Sequence, residues 1–222
     1  NNKLFTMRLF ITGATGFVGS HLLNYLANSN LEVLALRRTE HSITRVQIKK
    51  EPIWLTKEMK DVCIEDLNQI DVLVHLAAHS ANTPYDTLEN CIHWNLKEPI
   101  DLFTKARLAG VSKFVVIGSC FEYGLSGNKY KFIPANAKLE PTQSYPTSKA
   151  LASIAFTQLA LQFNLSLRIL RLFQVYGEGE QKNRLYPSLV RKGLLGEDFP
   201  MTEGAQIRDF ICVKDVAKSI NK

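Results

Sequence analysis

Three glycines at three-residue intervals, Gly13, Gly16 and Gly19, interrupt two apolar segments and constrain this chain more than any other stretch. Leu9, Phe10 and Ile11 suit a strand buried on both faces, and Leu22, Leu23 and Leu26 mark one face of a helix. Leu9 to Ala27 therefore reads as strand, turn, helix. A turn this tight needs glycine where φ turns positive, where a ligand must touch backbone, and where the helix packs close to the strand. The helix N-terminus adds unpaired N–H groups and the positive end of a dipole, which suits the phosphates of a dinucleotide. Thr15, Phe17 and Val18 join the three glycines as candidate cofactor contacts.

The alternation continues downstream. Leu31 to Leu36 reads as a second strand, Ile53 to Leu55 as a short third, Asp71 to Leu76 as a fourth and Lys113 to Ile117 as a fifth. Leu88 to Ala109 reads as a helix that Pro99 kinks or divides, and Tyr145 to about Phe163 as another, with Pro146 in its first turn. Strands alternating with helices predict an α/β fold, a Rossmann-type doubly wound parallel sheet. The 222 residues hold one sizeable core with a small appendage. The expected division is a dinucleotide-binding domain over 1–176 and the start of a substrate-binding part over 177–222. The loop from Phe121 to Ser144 is long for a simple connection, as functional loops are. Thr39 to Asn68 shows little pattern beyond its short strand.

Composition narrows the partners. A formal charge of +6 invites a nucleic-acid reading, but the densest basic groups (Arg37-Arg38, Lys49-Lys50, Arg191-Lys192) are pairs, not stripes. A small polyanionic ligand is favoured and nucleic acid is not expected. No apolar stretch reaches membrane-spanning length, and NNKLFTMRLF shows no secretory signal. Cys63, Cys91, Cys120 and Cys212 are scattered without a CxxC pair, which argues against zinc and for a reduced, cytoplasmic setting.

Candidate chemistry gathers at strand ends. Where NAD-binding units place an acidic residue for the adenosine ribose, this chain has Arg37 followed by Arg38, which suits the extra phosphate of NADP. Leu76, Ala77 and Ala78 let backbone pass close to a flat ligand, while His75 reads as a packed histidine. Ser119 follows the fifth strand, where open α/β sheets place their ligands. Tyr145 and Lys149, four apart on one helix face, pair a phenol with a cation expected to lower its pKa. Asn95, within a helix, is either exposed or, where buried, able to hydrogen-bond backbone and order the site.

These residues resemble the extended short-chain dehydrogenase/reductase family, and within it the nucleotide-sugar epimerase, dehydratase and reductase group. The resemblance rests on the glycine turn, on His75 to Ala78, on Asn95, on Ser119 with Tyr123-Gly124, and on Tyr145 with Lys149. Arg171 to Gly177 (RLFQVYG) and Arg208 to Ala217 (RDFICVKDVA) point to the nucleotide-sugar branch. The resemblance implies Tyr145 as acid/base, Lys149 orienting the nicotinamide ribose, and Ser119 bonding the reacting oxygen. It implies Asn95 as a cofactor contact, and His79, Cys120, Phe121, Gln174, Arg191 and Arg208 as the substrate side, with a nucleotide sugar as substrate and a homodimer as assembly. The family pattern also continues beyond residue 222, so the substrate-binding part is expected to be incomplete here.

Two departures guide the choice of reaction. Dehydratases of the group carry an Asp-Glu pair after the catalytic hydroxyl residue, where this chain has Cys120 and Phe121. Gln174 stands where the family usually has Asn. The expectation is an NADPH-dependent reductase of a 4-keto-6-deoxy sugar nucleotide. The alternatives are an NAD-dependent 4-epimerase and, from another class, a non-catalytic cofactor-sensing or scaffold protein.

Overall fold

The computed structural model describes residues 6–222; residues 1–5 of the N-terminal run lie outside them. Six parallel strands form one sheet in the order β3-β2-β1-β4-β5-β6. They are β1 (Arg8–Thr12), β2 (Glu32–Arg37), β3 (Ile53–Thr56), β4 (Val72–His75), β5 (Lys113–Ser119) and β6 (Ser166–Leu172). Strand order reverses between β1 and β4, whose register pairs Thr12 with His75. A reversal of this kind opens a crevice at the carboxyl ends of the strands. The sheet is thus the doubly wound Rossmann-type sheet that the glycine turn predicts.

Alternation along β1 supplies both faces. Phe10 joins Leu73, Phe103, Phe114 and Phe156 in one core, while Leu9 and Ile11 join Leu22, Leu23 and Leu26 in the other. Phe103 stacks on Phe114 with ring centroids 3.8 Å apart and on Phe156 at 5.2 Å. Each such side chain, once buried, contributes about 1.5–3 kcal/mol.

Helix α1 (Phe17–Leu26) leaves the glycine turn. The predicted helix over Leu88 to Ala109 is divided: α2 (Leu88–Ile92), a π-helical turn (His93–Lys97) and α3 (Glu98–Leu108), with Pro99 in the first turn of α3. Proline is tolerated there because that N–H has no partner within its own helix. Helix α4 (Ser144–Gln162) follows the long loop, which contains two short 3₁₀ segments, Cys120–Glu122 and Leu125–Lys129.

Beyond β6 lie β7 (Gln174–Tyr176), α5 (Leu185–Leu195), β8 (Phe210–Cys212) and α6 (Val213–Ile220), with β7 and β8 paired as a small parallel sheet. Val216, Ala217 and Ile220 of α6 pack into the same core as α1. Among the described residues, no helix is long and apolar enough to cross a membrane.

Candidate active site

The glycine turn is the first wall of a 1170 Å³ cleft along the carboxyl ends of the strands. Gly13 adopts φ +68°, and a Cβ there would stand 2.6 Å from the Ala77 amide nitrogen. A Cβ on Gly19 would overlap the Gly13 carbonyl oxygen. Gly16 caps α1 without a side-chain bond, and the first intrahelical bond runs from Ser20 N–H to the Gly16 carbonyl. The N–H groups of Phe17, Val18 and Gly19 therefore precede the ladder and face the cleft end of the helix dipole. With Thr15, these residues all line the cleft, as do Leu76, Ala77 and Ala78 opposite. That donor set fits a dinucleotide diphosphate.

Arg37 and Arg38 line the far end of the cleft. The Arg37 Nε donates to Thr56 Oγ1 at 2.9 Å, and its guanidinium lies 5.3 Å from the centre of the Trp54 ring. The sequence reading missed the segment that completes this end: Ser42, Thr44 and Arg45 line it too. That segment is anchored by a bond from Arg45 N–H to the Thr15 carbonyl, a tertiary contact without periodic signature. Glu58, just after β3, is the carboxylate on this side.

The candidate reacting groups come from β5 and α4. Ser119 ends β5 and Tyr145 opens α4; both are buried, and both line the cleft. Lys149 lies one turn below Tyr145, 3% exposed, and its Nζ donates to the Ile117 carbonyl at 2.7 Å, so it sits beneath the floor of the cleft. Burial pushes the Lys149 ammonium down to about 8, against the opposing pull of Glu122. The expectation that Lys149 lowers the Tyr145 pKa is not met. Burial, reinforced by Tyr85 and Glu122, pushes the phenol above its ordinary value, and a hydrogen bond with the Ser119 side chain opposes this only in part. Desolvation is the largest influence on this phenol.

His75 is packed, as expected: its Nδ1 lies 2.8 Å from Thr12 Oγ1, and burial, then the Lys149 charge, push it down to about 3. Asn95 does not line the cleft. Its Oδ1 accepts from the His79 N–H at 2.7 Å, and its Nδ2 donates to the His79 carbonyl and to Ser148 Oγ, each at 3.0 Å. Both amide hydrogens are thus spent on joining the loop after β4 to the start of α4.

The expected substrate residues divide. His79, Phe121 and Gln174 line the cleft. Cys120 does not, and burial pushes its thiol up to about 11. Arg191 lines a neighbouring apolar cavity of 540 Å³ with Tyr186, Val190 and Leu194, and Arg208 is exposed and donates to Gln206. The guanidinium that this half of the chain does bring to the cleft is Arg184, which donates to Asn82 Oδ1 at 3.1 Å and to Gln174 Oε1 at 3.2 Å. Its signal in the sequence is one basic residue seven positions after Gly177, too common to single out.

This arrangement, a glycine turn facing Ser119 and Tyr145 across one crevice with Lys149 beneath them, has relatives. The sequence pattern of the NAD dependent epimerase/dehydratase family matches residues 9–221. The chain belongs to that family. It is 26% identical to a dTDP-4-dehydro-6-deoxy-D-allose reductase of Streptomyces sp, over 95% of this chain and 70% of the relative. It is 24% identical to the UDP-glucose 4-epimerase of Corynebacterium glutamicum, over 96% and 69%. Among solved structures, the NAD dependent NDP-hexosamine 5,6-dehydratase TunA superposes with a TM-score of 0.84 at 27% identity, covering 97% of this chain and 71% of its own. As a member of the family, this chain is a nucleotide-sugar modifying enzyme.

Proposed function

We propose that this chain is an NADP-dependent reductase that acts on a keto group, of the 4-keto-6-deoxy type, in a sugar joined to a nucleoside diphosphate. The observation that carries the reading is the end of β2, where Arg37 and Arg38 line the adenosine side of the cleft with Arg45 beside them. Guanidinium groups there pair with a 2′-phosphate and offer no acceptor to ribose hydroxyls. A reductase consumes its cofactor and must exchange it, whereas an epimerase returns its hydride to the same substrate.

The cofactor, when bound, supplies the hydride. Tyr145 delivers the proton: burial keeps its phenol protonated at neutral pH, the state that a donor to the carbonyl oxygen requires. Ser119 offers a hydroxyl to the same oxygen, and Lys149 supplies positive charge from below. Substrate contacts fall to His79, Phe121, Gln174 and Arg184 along the rim. Dehydration is disfavoured because Cys120 and Phe121 offer no acid, and the carboxylate of Glu122 is fully buried and already bonded. Residues 177–222 contribute to substrate binding in this reading.

The 4-epimerase reading keeps standing because an epimerase relative is about as similar as the reductase. One experiment separates the two: mass spectrometry of the purified protein for retained dinucleotide, then parallel fluorescence titrations with NADPH and NADH. The reductase predicts an empty site, at least about tenfold tighter binding of NADPH, and reversal of that preference in Arg37→Asp. Retained NAD would instead favour the epimerase.

A further inference from the structure

Glu122 is completely buried, yet it touches the turn that carries Ser119 and the helix that carries Tyr145. Its Oε1 accepts the Ser119 N–H at 2.7 Å. Its Oε2 accepts from Ser153 Oγ and from Arg171 Nε, both at 2.7 Å. Ser119 Oγ in turn accepts the Phe121 N–H at 3.2 Å, closing a reciprocal cap on the turn. Tyr145, Lys149 and Ser153 repeat at four-residue spacing and so share one face of α4. A Cβ on Gly118 would lie 2.6 Å from Glu122 Oε1, so glycine there makes room for the carboxylate.

We propose that Glu122 is a positioning residue for the reaction: it fixes Ser119 through its backbone and, with Arg171, sets the charge beneath Tyr145 and Lys149. This rests on Tyr145 being the proton donor. The groups facing Tyr145 are Tyr85, with ring centroids 5.4 Å apart, and Cys120 and Glu122 from the turn; those facing Lys149 are Glu122 and His75. Arg171 also donates to Tyr123 Oη at 3.4 Å, which keeps it on the far side of the carboxylate. The Glu122 charge holds protons on both the phenol and the ammonium to higher pH. Its removal makes both release protons at lower pH, and because Lys149 titrates at about 8, the alkaline limb of ketone reduction reports the loss of the Lys149 charge.

The test uses Glu122→Gln, which keeps the shape, and the doubly neutral Glu122→Gln/Arg171→Gln. Lysine side-chain NMR, with Lys149 assigned by Lys149→Met, reads the charge without turnover. Reduction of a dTDP-linked 4-keto-6-deoxyhexose by NADPH gives the pH profile. Glu122→Gln should move the Lys149 titration and the alkaline limb about one unit toward acid. It should also lower kcat about tenfold with the cofactor KM within about twofold. The double variant should lie between single variant and wild type, because the uncompensated guanidinium is gone; a purely steric role would leave it no better than the single. If the single variant fails to fold, the double carries both readouts. Unmoved titration and pH limb overturn the proposal. A Tyr145→Phe enzyme that still turns over would remove the donor assignment instead, leaving the Lys149 titration to judge the charge effect.

Discussion

Two of the buried bases, His75 and Lys149, make the stability of the folded chain depend on pH. His75 titrates at about 3 in the folded state against an ordinary 6.5, so the unfolded chain binds more protons between those values. Its contribution to stability is intact above 6.5 and is lost as pH falls toward 3, by about 2 kcal/mol at about pH 5. Lys149 titrates at about 8 against 10.5, so stability rises as pH climbs through that second window. Melting curves should therefore fall off below pH 6.5, where His75→Asn flattens the decline, and Lys149→Met should remove the rise between 8 and 10.5. A flat wild-type profile on the acid side would show that His75 is accessible to protons in the folded chain.

At the scale of elements, Gly16 and Gly19 share a turn but answer to different neighbours. A side chain on Gly19 meets the Gly13 carbonyl and stands 2.7 Å from Ala14 Cα, so Gly19→Ala should cost about 1–3 kcal/mol. A side chain on Gly16 has only the Gly13 oxygen nearby, at 3.1 Å, and otherwise faces the cleft. Gly16→Ala should keep most of its melting temperature and lose dinucleotide affinity; melting curves with cofactor titrations check both. The same contrast explains what the sequence discloses. The β1–turn–α1 unit, the strands β2, β4 and β5, and α4 are legible because their apolar spacing and glycines are local. The rest of the Thr39 to Asn68 region outside β3, Arg184 and the late elements β7, α5, β8 and α6 are not, since contacts distant in sequence decide where they lie. Arg45 meets Thr15, Arg184 meets Asn82, and α6 meets α1. The Tyr145 pKa is misread for a related reason: spacing reveals the cation and conceals the burial.

Over the whole molecule, α4 buries Phe156 in the core and leaves Leu151, Ile154 and Leu161 at 39%, 57% and 73% exposure, with Leu108 of α3 at 56%. We propose a homodimer that covers this face. Ile154→Lys/Leu161→Lys should halve the particle mass in light scattering, and a monomeric wild type would refute it. The cleft itself is lined from stretches separate in sequence: positions between 13 and 98 on the glycine-turn side, between 117 and 145 with Ser119 and Tyr145, and between 172 and 184 along the rim. Because these rim positions are encoded apart from the glycine turn, Ser119 and Tyr145, substitutions in the rim can reshape the mouth of the cleft without altering any of those groups.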